Sequence, residues 1–534
     1  METFDYIVVG AGSAGCVLAN RLSEDANKTV LLLEAGGTDR NIFIHIPAGF
    51  FKTISNPKVN WLYTTEAEDS SGNRNISWPR GKVLGGSSSI NGHLIVRGQR
   101  EDYDGWRQLG NTGWSFDDVL PYFRKFESSE VGDGDIRGRD GPIKVREPIE
   151  QHPLTRVFME ACEQMGIPRN ADYNGATQEG VGYFQYALGD GRRMSTARAY
   201  LKPARSRRNL KVMTKARTKW IVVKDGRAVG VRFKHDGVER EAHAGAEVIL
   251  SAGSIASPQI LELSGIGAGA RLRELGIDVV HDLPGIGENL QDHYVSRFCC
   301  RAKGIETFNE RARGWRLGWE ILRYAATRTG LLTTAPGNVS ASVKVMPGMA
   351  TPDVQMAFAP ASYVEGQLGV LDDFPGMTCG VWQHRPASRG SIHIASSDAE
   401  MQPSIRPNYL ADSIDQNTTI EALKYVRRLF AQPALARYVD AETVPGADVQ
   451  SDDELLDFAR RTGSTVYHPV GTCKMGNDPH AVVDPELRVH GLRGLRVVDA
   501  SVMPLMPSAN TNAAVLMIAE KAADMIKAAG RPID

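Results

Sequence analysis

The chain has 534 residues, of which 42% are hydrophobic and 23% charged, and its formal net charge is −1. Its length exceeds what one core usually supports, so two or more domains are expected, and its ordinary composition excludes disorder on a large scale. The charge balance excludes a general pull toward nucleic acid, six cysteines without a C-x-x-C pair make no disulfide framework, and no apolar run is long enough to span a bilayer.

Residues 4–9 read as a short apolar strand, 10–15 as a glycine turn, 14–22 as a helix and 29–33 as a second apolar strand. A strand so close to the start leaves no room for a signal peptide, and with the cysteine usage this reads as a cytoplasmic protein. Residues 36–150 are rich in Gly, Pro and Asn and read as extended loops wrapped over another element. A stretch without acidic residues follows, containing Arg192, Arg193, Arg198, Lys202, Arg205, Arg207, Arg208 and Lys211; it reads as a solvated basic face. Residues 220–250 alternate as strands with hairpin turns at Asp225-Gly226 and Asp236-Gly237, and 247–251 read as a buried strand. Residues 311–328 place Trp315, Trp319 and Leu322 at helical spacing among Arg311, Arg313, Arg316 and Arg323. This predicts a helix packing its aromatics inward, with a membrane-surface helix as the alternative. Helices over 418–431 and 511–528 and a strand over 495–499 complete the pattern. The fold class is α/β: one Rossmann-like domain assembled from separated segments, with a second, mixed-sheet domain inserted.

Gly10-Ala11-Gly12-Ser13-Ala14-Gly15 matches G-x-G-x-x-G, follows a strand and opens a helix, and Glu34 ends the next strand. That is the context a dinucleotide fingerprint requires. Gly10 permits the turn, Gly12 lets the backbone approach a pyrophosphate, and Gly15 lets helix and strand pack closely. Ser13 and Ala14 open the helix whose free amides face the phosphates. Glu34 suits ribose hydroxyls and opposes a 2′-phosphate, which counts against NADP; the motif does not separate FAD from NAD.

Three longer segments add a family resemblance. Residues 80–92, Arg-Gly-Lys-Val-Leu-Gly-Gly-Ser-Ser-Ser-Ile-Asn-Gly, resemble the first signature of the glucose–methanol–choline (GMC) oxidoreductases, and residues 253–267 resemble the second. His468-Pro469-Val470-Gly471-Thr472-Cys473, with the later Ser508-Ala509-Asn510-Thr511-Asn512, resembles the family's catalytic region. The resemblance implies FAD. It implies FAD-binding parts at 1–150, 212–296 and 466–534, and substrate-domain parts at 151–211 and 297–465. Val83, Gly85, Gly86 and Ser87 would run along the pyrophosphate, with Asn91 and Gly92 at the isoalloxazine. Thr218 would sit at the adenine, and Asp499 and Asn512 beside the cofactor. Members that attach FAD covalently use a histidine where this chain has Ile90, so noncovalent FAD is implied.

Oxidation of an alcohol removes a hydroxyl proton and a hydride, and histidine has the right intrinsic pKa for the proton. His468 matches the family's catalytic histidine, and Asn510 the second active-site position. His45, His93, His293 and His384 read as ordinary structural histidines, and no histidine–carboxylate cluster has metal-ligand spacing. Choline-oxidising relatives carry a glutamate where Asn289-Leu290-Gln291-Asp292-His293-Tyr294-Val295 ends in Val295, so an uncharged primary alcohol is the expected substrate. Tyr467 and Val466 are expected in the same pocket. The C-terminal pattern resembles bacterial alcohol dehydrogenases, whereas Val466 resembles an oxygen-reactive relative; quinone, cytochrome and oxygen stay open as electron acceptors. Choline dehydrogenase proper, an oxygen-using alcohol oxidase and an FAD-containing hydroxynitrile lyase are the alternatives. Peripheral contact with the inner face of a membrane also stays open, and no nucleic-acid module is visible.

Overall fold

The computed structural model of the protein describes residues 2–364, 367 and 369–529. The N-terminal strand, Glu2–Val9, lies at the centre of a seven-stranded sheet. It pairs in parallel with Val30–Leu33 on one side and Val238–Leu250 on the other. Leu210–Met213 extends the sheet beyond Val30–Leu33, again in parallel. Val238–Leu250 plays two parts. Its first half closes antiparallel hairpins with Arg227–His235 and, through it, Ala216–Lys224, turning at the expected Asp-Gly pairs. Its last three residues, Val248, Ile249 and Leu250, are buried and also pair in parallel with Leu495–Val497. The Ser13–Leu22 helix covers this sheet and packs against the C-terminal helix Asn512–Ala529, where Arg21 pairs with the buried Glu520 at 2.8 Å.

A second seven-stranded sheet is antiparallel along its main path: Val439–Val444, Tyr294–Ala302, Gly376–Gln383, Val354–Ala359, Val339–Val343 and Gly180–Tyr183. Helices Pro153–Gln164, Ser413–Phe430 and Asp452–Thr462 contribute to the core on one of its faces. Alternation along Tyr294–Ala302 divides the strand: Phe298, Cys300 and Ala302 enter that core, while Val295, Arg297 and Cys299 turn to a cavity on the other face.

The expected boundaries after residues 211 and 296 fall inside the strands Leu210–Met213 and Tyr294–Ala302. Residues 530–534 of the last expected segment lie outside the described residues. Three expectations are corrected. Within 36–150, Arg100–Gln108 and Phe116–Phe126 are helices, not loops. Ser115 caps the second with a reciprocal Asp118 bond, and Tyr103, Trp106, Phe123 and Phe126 supply a buried aromatic cluster that outweighs the glycine and proline content. The basic stretch is not wholly solvated, because Arg193 is buried. The Gly314–Thr327 helix turns its tryptophans outward: Trp315 is 79% and Trp319 62% exposed.

Candidate active site

Between the two sheets lies a cavity of about 690 Å³. The glycine turns wall one part of it. Gly10 has φ +97°, and a Cβ there would lie 2.5 Å from Ser251 O. Gly86, at φ +52°, would bring a Cβ to 2.7 Å from Gly12 Cα, so the two glycine segments touch backbone to backbone. Glu34 accepts hydrogen bonds from the Ala11 and Gly36 amides at 3.0 and 2.8 Å, and burial lifts its carboxyl to about 7. Ser13 donates to Asn512 Oδ1 at 2.7 Å, tying the first turn to the last helix. Asp499 accepts from Gly253 N and the hydroxyls of Ser257 and Ser501, which fixes the start of the Gly253–Leu263 helix on the same wall.

His468 stands on the wall with its proton position set by neighbours. His293 Nε2 lies 2.8 Å from the His384 carbonyl, which only accepts, so this nitrogen carries a proton and donates. Burial takes His293 down to about 4, so it is neutral and its Nδ1 is an acceptor. That atom is 3.0 Å from His468 Nδ1, which must therefore donate. His468 is also held well below its usual range, chiefly by burial, with the nearby Arg80 cation acting in the same direction. Its remaining nitrogen, Nε2, thus carries a lone pair, and Asn510 Nδ2 donates to it at 3.1 Å. The backbone is fixed as well: Asp292 Oδ1 accepts from His468 N at 2.7 Å, while Oδ2 accepts from the hydroxyls of Thr465 and Tyr409. Arg80 anchors the Tyr467 carbonyl at 2.5 Å.

Val295 and Arg297 face this cavity from the inserted sheet. The Arg297 side chain makes no hydrogen bond or ion pair with the described residues, although its charge bears on Tyr363 and Tyr467 across the space. Among the described residues the only carboxylates on the wall are Glu34 and Asp499, both already engaged at the glycine turns.

The cavity wall brings together most residues expected from sequence: Gly10, Gly12, Ser13, Ala14, Glu34, Gly86, Ser87, Asn91, Gly92, Thr218, Asp499 and Asn512, together with His468, Asn510, Val295, Val466 and Tyr467. Gly15, Val83 and Gly85 sit behind it; Gly15 packs against the Gly10 carbonyl, where a Cβ would clash. Sequence reasoning passed over His293, Asp292 and Arg297. All three stand in or just after the Asn289–Val295 segment, so the signal was present and only Val295 was read from it. Arg193 was passed over too; it donates to Asn91 Oδ1 at 2.7 Å without a carboxylate partner, and burial lowers it to about 9.

The N-terminal GMC oxidoreductase model matches residues 4–295, and the C-terminal one residues 386–519. The chain belongs to the GMC oxidoreductase family. It is 43% identical to the human mitochondrial choline dehydrogenase, over 99% of this chain and 90% of that relative. It is 42% identical to an alcohol dehydrogenase (acceptor) of Pseudomonas putida, over 98% of this chain and 95% of that one. Among solved structures, pyridoxine 4-oxidase from Mesorbium loti aligns with a TM-score of 0.89 at 31% identity, covering 98% of each chain. The fold is that of the family, and membership implies FAD and oxidation of a CH–OH group. The residues fit a dinucleotide: Thr218 Oγ1, Ser251 Oγ and Asn510 Oδ1 are buried on the wall without a partner, and the glycine turns leave room only for backbone.

Proposed function

We propose that the protein oxidises an uncharged primary alcohol to an aldehyde, with His468 as the base, Asn510 orienting the hydroxyl oxygen, and FAD held noncovalently. The observation that carries this reading is the unprotonated His468 Nε2, fixed by the His384–His293 chain, in the same cavity as both glycine turns. A neutral imidazole in a dry site accepts a hydroxyl proton without first losing one of its own. Asn510 Nδ2, already beside Nε2, supplies a donor to the alkoxide that develops as the proton leaves. FAD, when bound, supplies the hydride acceptor. Gly10, Gly12, Gly86, Ser87 and Asp499 would hold its pyrophosphate region, Glu34 and Thr218 its adenosine end, and Asn91 and Gly92 its ring system. Ile90, buried on the wall, offers no nucleophile for a covalent link.

The substrate reading departs from the choline dehydrogenases among the relatives. A quaternary ammonium in a dry pocket is favoured by a counter-charge beside it. Here the position is Val295, and the free group two residues on is a cation, Arg297. The test mixes the yellow holoenzyme anaerobically with a series of primary alcohols and with choline, follows bleaching of the flavin, and then assays turnover with oxygen and with a dye acceptor in parallel. The expected result is fast bleaching by a neutral alcohol and slow bleaching by choline. Choline at or above the best neutral alcohol overturns the substrate reading. An alcohol that leaves the flavin oxidised while a hydroxynitrile is cleaved overturns the reaction. Acid precipitation is expected to release FAD into the supernatant, and flavin retained in the pellet contradicts noncovalent binding.

A further inference from the structure

The Gly314–Thr327 helix is built inside out. Its inward side is polar. Glu320, buried, accepts from Arg311 Nε and from the Leu331 amide, each at 3.0 Å. Tyr324, also buried, donates to the Gly191 carbonyl at 3.0 Å. These contacts fix which side meets the protein. On the opposite side Trp315, Trp319 and Leu322 are 79, 62 and 64% exposed, and Ile321 is 49% exposed. With Ala325 between them they fall in one arc of roughly 160° of the helix circumference. A helix of a water-surrounded protein carries the reverse arrangement, with its apolar stripe toward the core.

We propose that this arc is a membrane-interface surface, by which the protein sits on a phospholipid bilayer without crossing it. Three features choose lipid over another protein surface. Two tryptophans on a short helix suit the headgroup boundary, where an indole has apolar and polar neighbours at once. Arginine dominates the segment: residues 311–328 contain five of them and a single carboxylate, Glu320, which is buried. Arg316 and Arg323 border the arc itself and stay partly exposed while pairing with carboxylates, Arg316 with Glu306 at 2.7 Å and Arg323 with Glu150 at 3.3 Å and Glu320 at 3.9 Å. Their stems can lie along the acyl boundary while the guanidinium groups reach anionic headgroups. The third feature is position. Arg313 donates to the carbonyls of Leu371 and Asp372 at 3.0 and 2.8 Å, fastening the helix to the loop whose Tyr363, Val364, Gln367 and Gly369 wall the active-site cavity. Val370 in that loop is itself 44% exposed. Docking through the arc would therefore act on an element fastened to that loop. No helix among the described residues is long and apolar enough to cross a bilayer.

The test is flotation of the holoenzyme with vesicles of phosphatidylcholine alone and of phosphatidylcholine with phosphatidylglycerol, alongside light scattering of the protein without lipid. Binding is expected to both, stronger with phosphatidylglycerol and weakened there by salt. The triple variant Trp315→Ser, Trp319→Ser, Leu322→Ser is expected to lose at least about tenfold in binding, the scale for removing the apolar half of an interfacial helix. Its flavin content, melting temperature and turnover of a water-soluble alcohol should stay at wild-type values, since all three side chains are exposed. Failure to float with either vesicle overturns the proposal, as does unchanged binding of the variant. A wild-type dimer that the variant converts to monomer, without lipid binding, makes the arc a self-interface and overturns it equally. If the triple variant loses its flavin, quenching of wild-type tryptophan fluorescence by brominated phosphatidylcholine decides the matter: quenching supports insertion, and its absence refutes it.

Discussion

His393 gives a stability prediction that can be worked from the structure. Its Nδ1 lies 2.8 Å from Glu262 and its Nε2 2.9 Å from Glu288, so both ring nitrogens face carboxylates and the imidazolium form satisfies both. Burial pulls the ring toward neutrality, but the two carboxylates outweigh it and push the pKa up to about 9. An unfolded histidine titrates near 6.5, so the folded state holds the proton more tightly, by about 3 kcal/mol at most. Glu288 is half exposed, and screening trims its share. The sign follows from the raised value: the stabilisation is fully present below about pH 6.5 and is lost as pH rises through about 9. His393→Gln removes the titration and leaves Glu262, fully buried, without its cation, which costs about 3 kcal/mol or more at pH 6.5. Urea unfolding, followed by far-UV circular dichroism at several pH values from about 6 to about 9.5, compares the two proteins. The difference in midpoint should shrink as pH rises. Parallel pH profiles for the two proteins would refute the reasoning. Because Glu262 lies on the Gly253–Leu263 helix, whose first turn walls the cavity, flavin retention should follow the same pH trend.

The other predictions concern the cavity. His468→Ala should slow flavin reduction by alcohol at least about a hundredfold, the scale of a lost general base, with flavin content kept; a stopped-flow rate near wild type removes His468 from the mechanism. Glu34→Ala removes the acceptor for the Ala11 and Gly36 amides, so FAD should be lost on dialysis while the order of alcohol preference stays the same; unchanged occupancy by absorbance counts against the assignment. Val295→Glu should raise kcat/KM for choline relative to a neutral alcohol by roughly tenfold, less than a full buried ion pair would give, because Arg297 stands two residues away; no shift in that ratio places Val295 outside the substrate contacts.

How much of this was legible depended on how local each feature is. The first glycine turn was fully readable, because strand, turn, helix and acidic residue follow one another within one βαβ unit. His468 and Asn510 were readable only through the long motifs around them, since a histidine before proline carries no chemistry of its own. His293 was illegible because its role is a matter of tautomer. That tautomer depends on the His384 carbonyl, delivered just beyond the Gly376–Gln383 strand that pairs with Tyr294–Ala302. Arg193 looked like one charge among many, and only the packed fold reveals that it holds Asn91. The helix over residues 311–328 failed in an instructive way. Its period was read correctly, but a period is the same whether the apolar stripe faces in or out. What sets the direction is Glu320 and Tyr324 finding partners at Arg311, Leu331 and Gly191, and those are tertiary contacts.

On the proposed function, the division of labour between the two sheets would couple catalytic geometry to substrate choice. The FAD-side segments carry His468 and Asn510, but the inserted sheet decides which nitrogen of His468 bears the proton, because His293 leads directly into the Tyr294–Ala302 strand. That same strand presents Val295 and Arg297 to the cavity. A shift of the strand by one residue would turn Val295 and Arg297 into the helix-backed core and at the same time displace His293 from His468. On the proposed function, substrate contacts could therefore change by substitution at the cavity-facing positions, whereas a change in the register of the strand would displace the proposed base. On this argument, diversity of substrate is confined to side chains on a fixed backbone, and the His384–His293–His468 chain is what holds that backbone to its task.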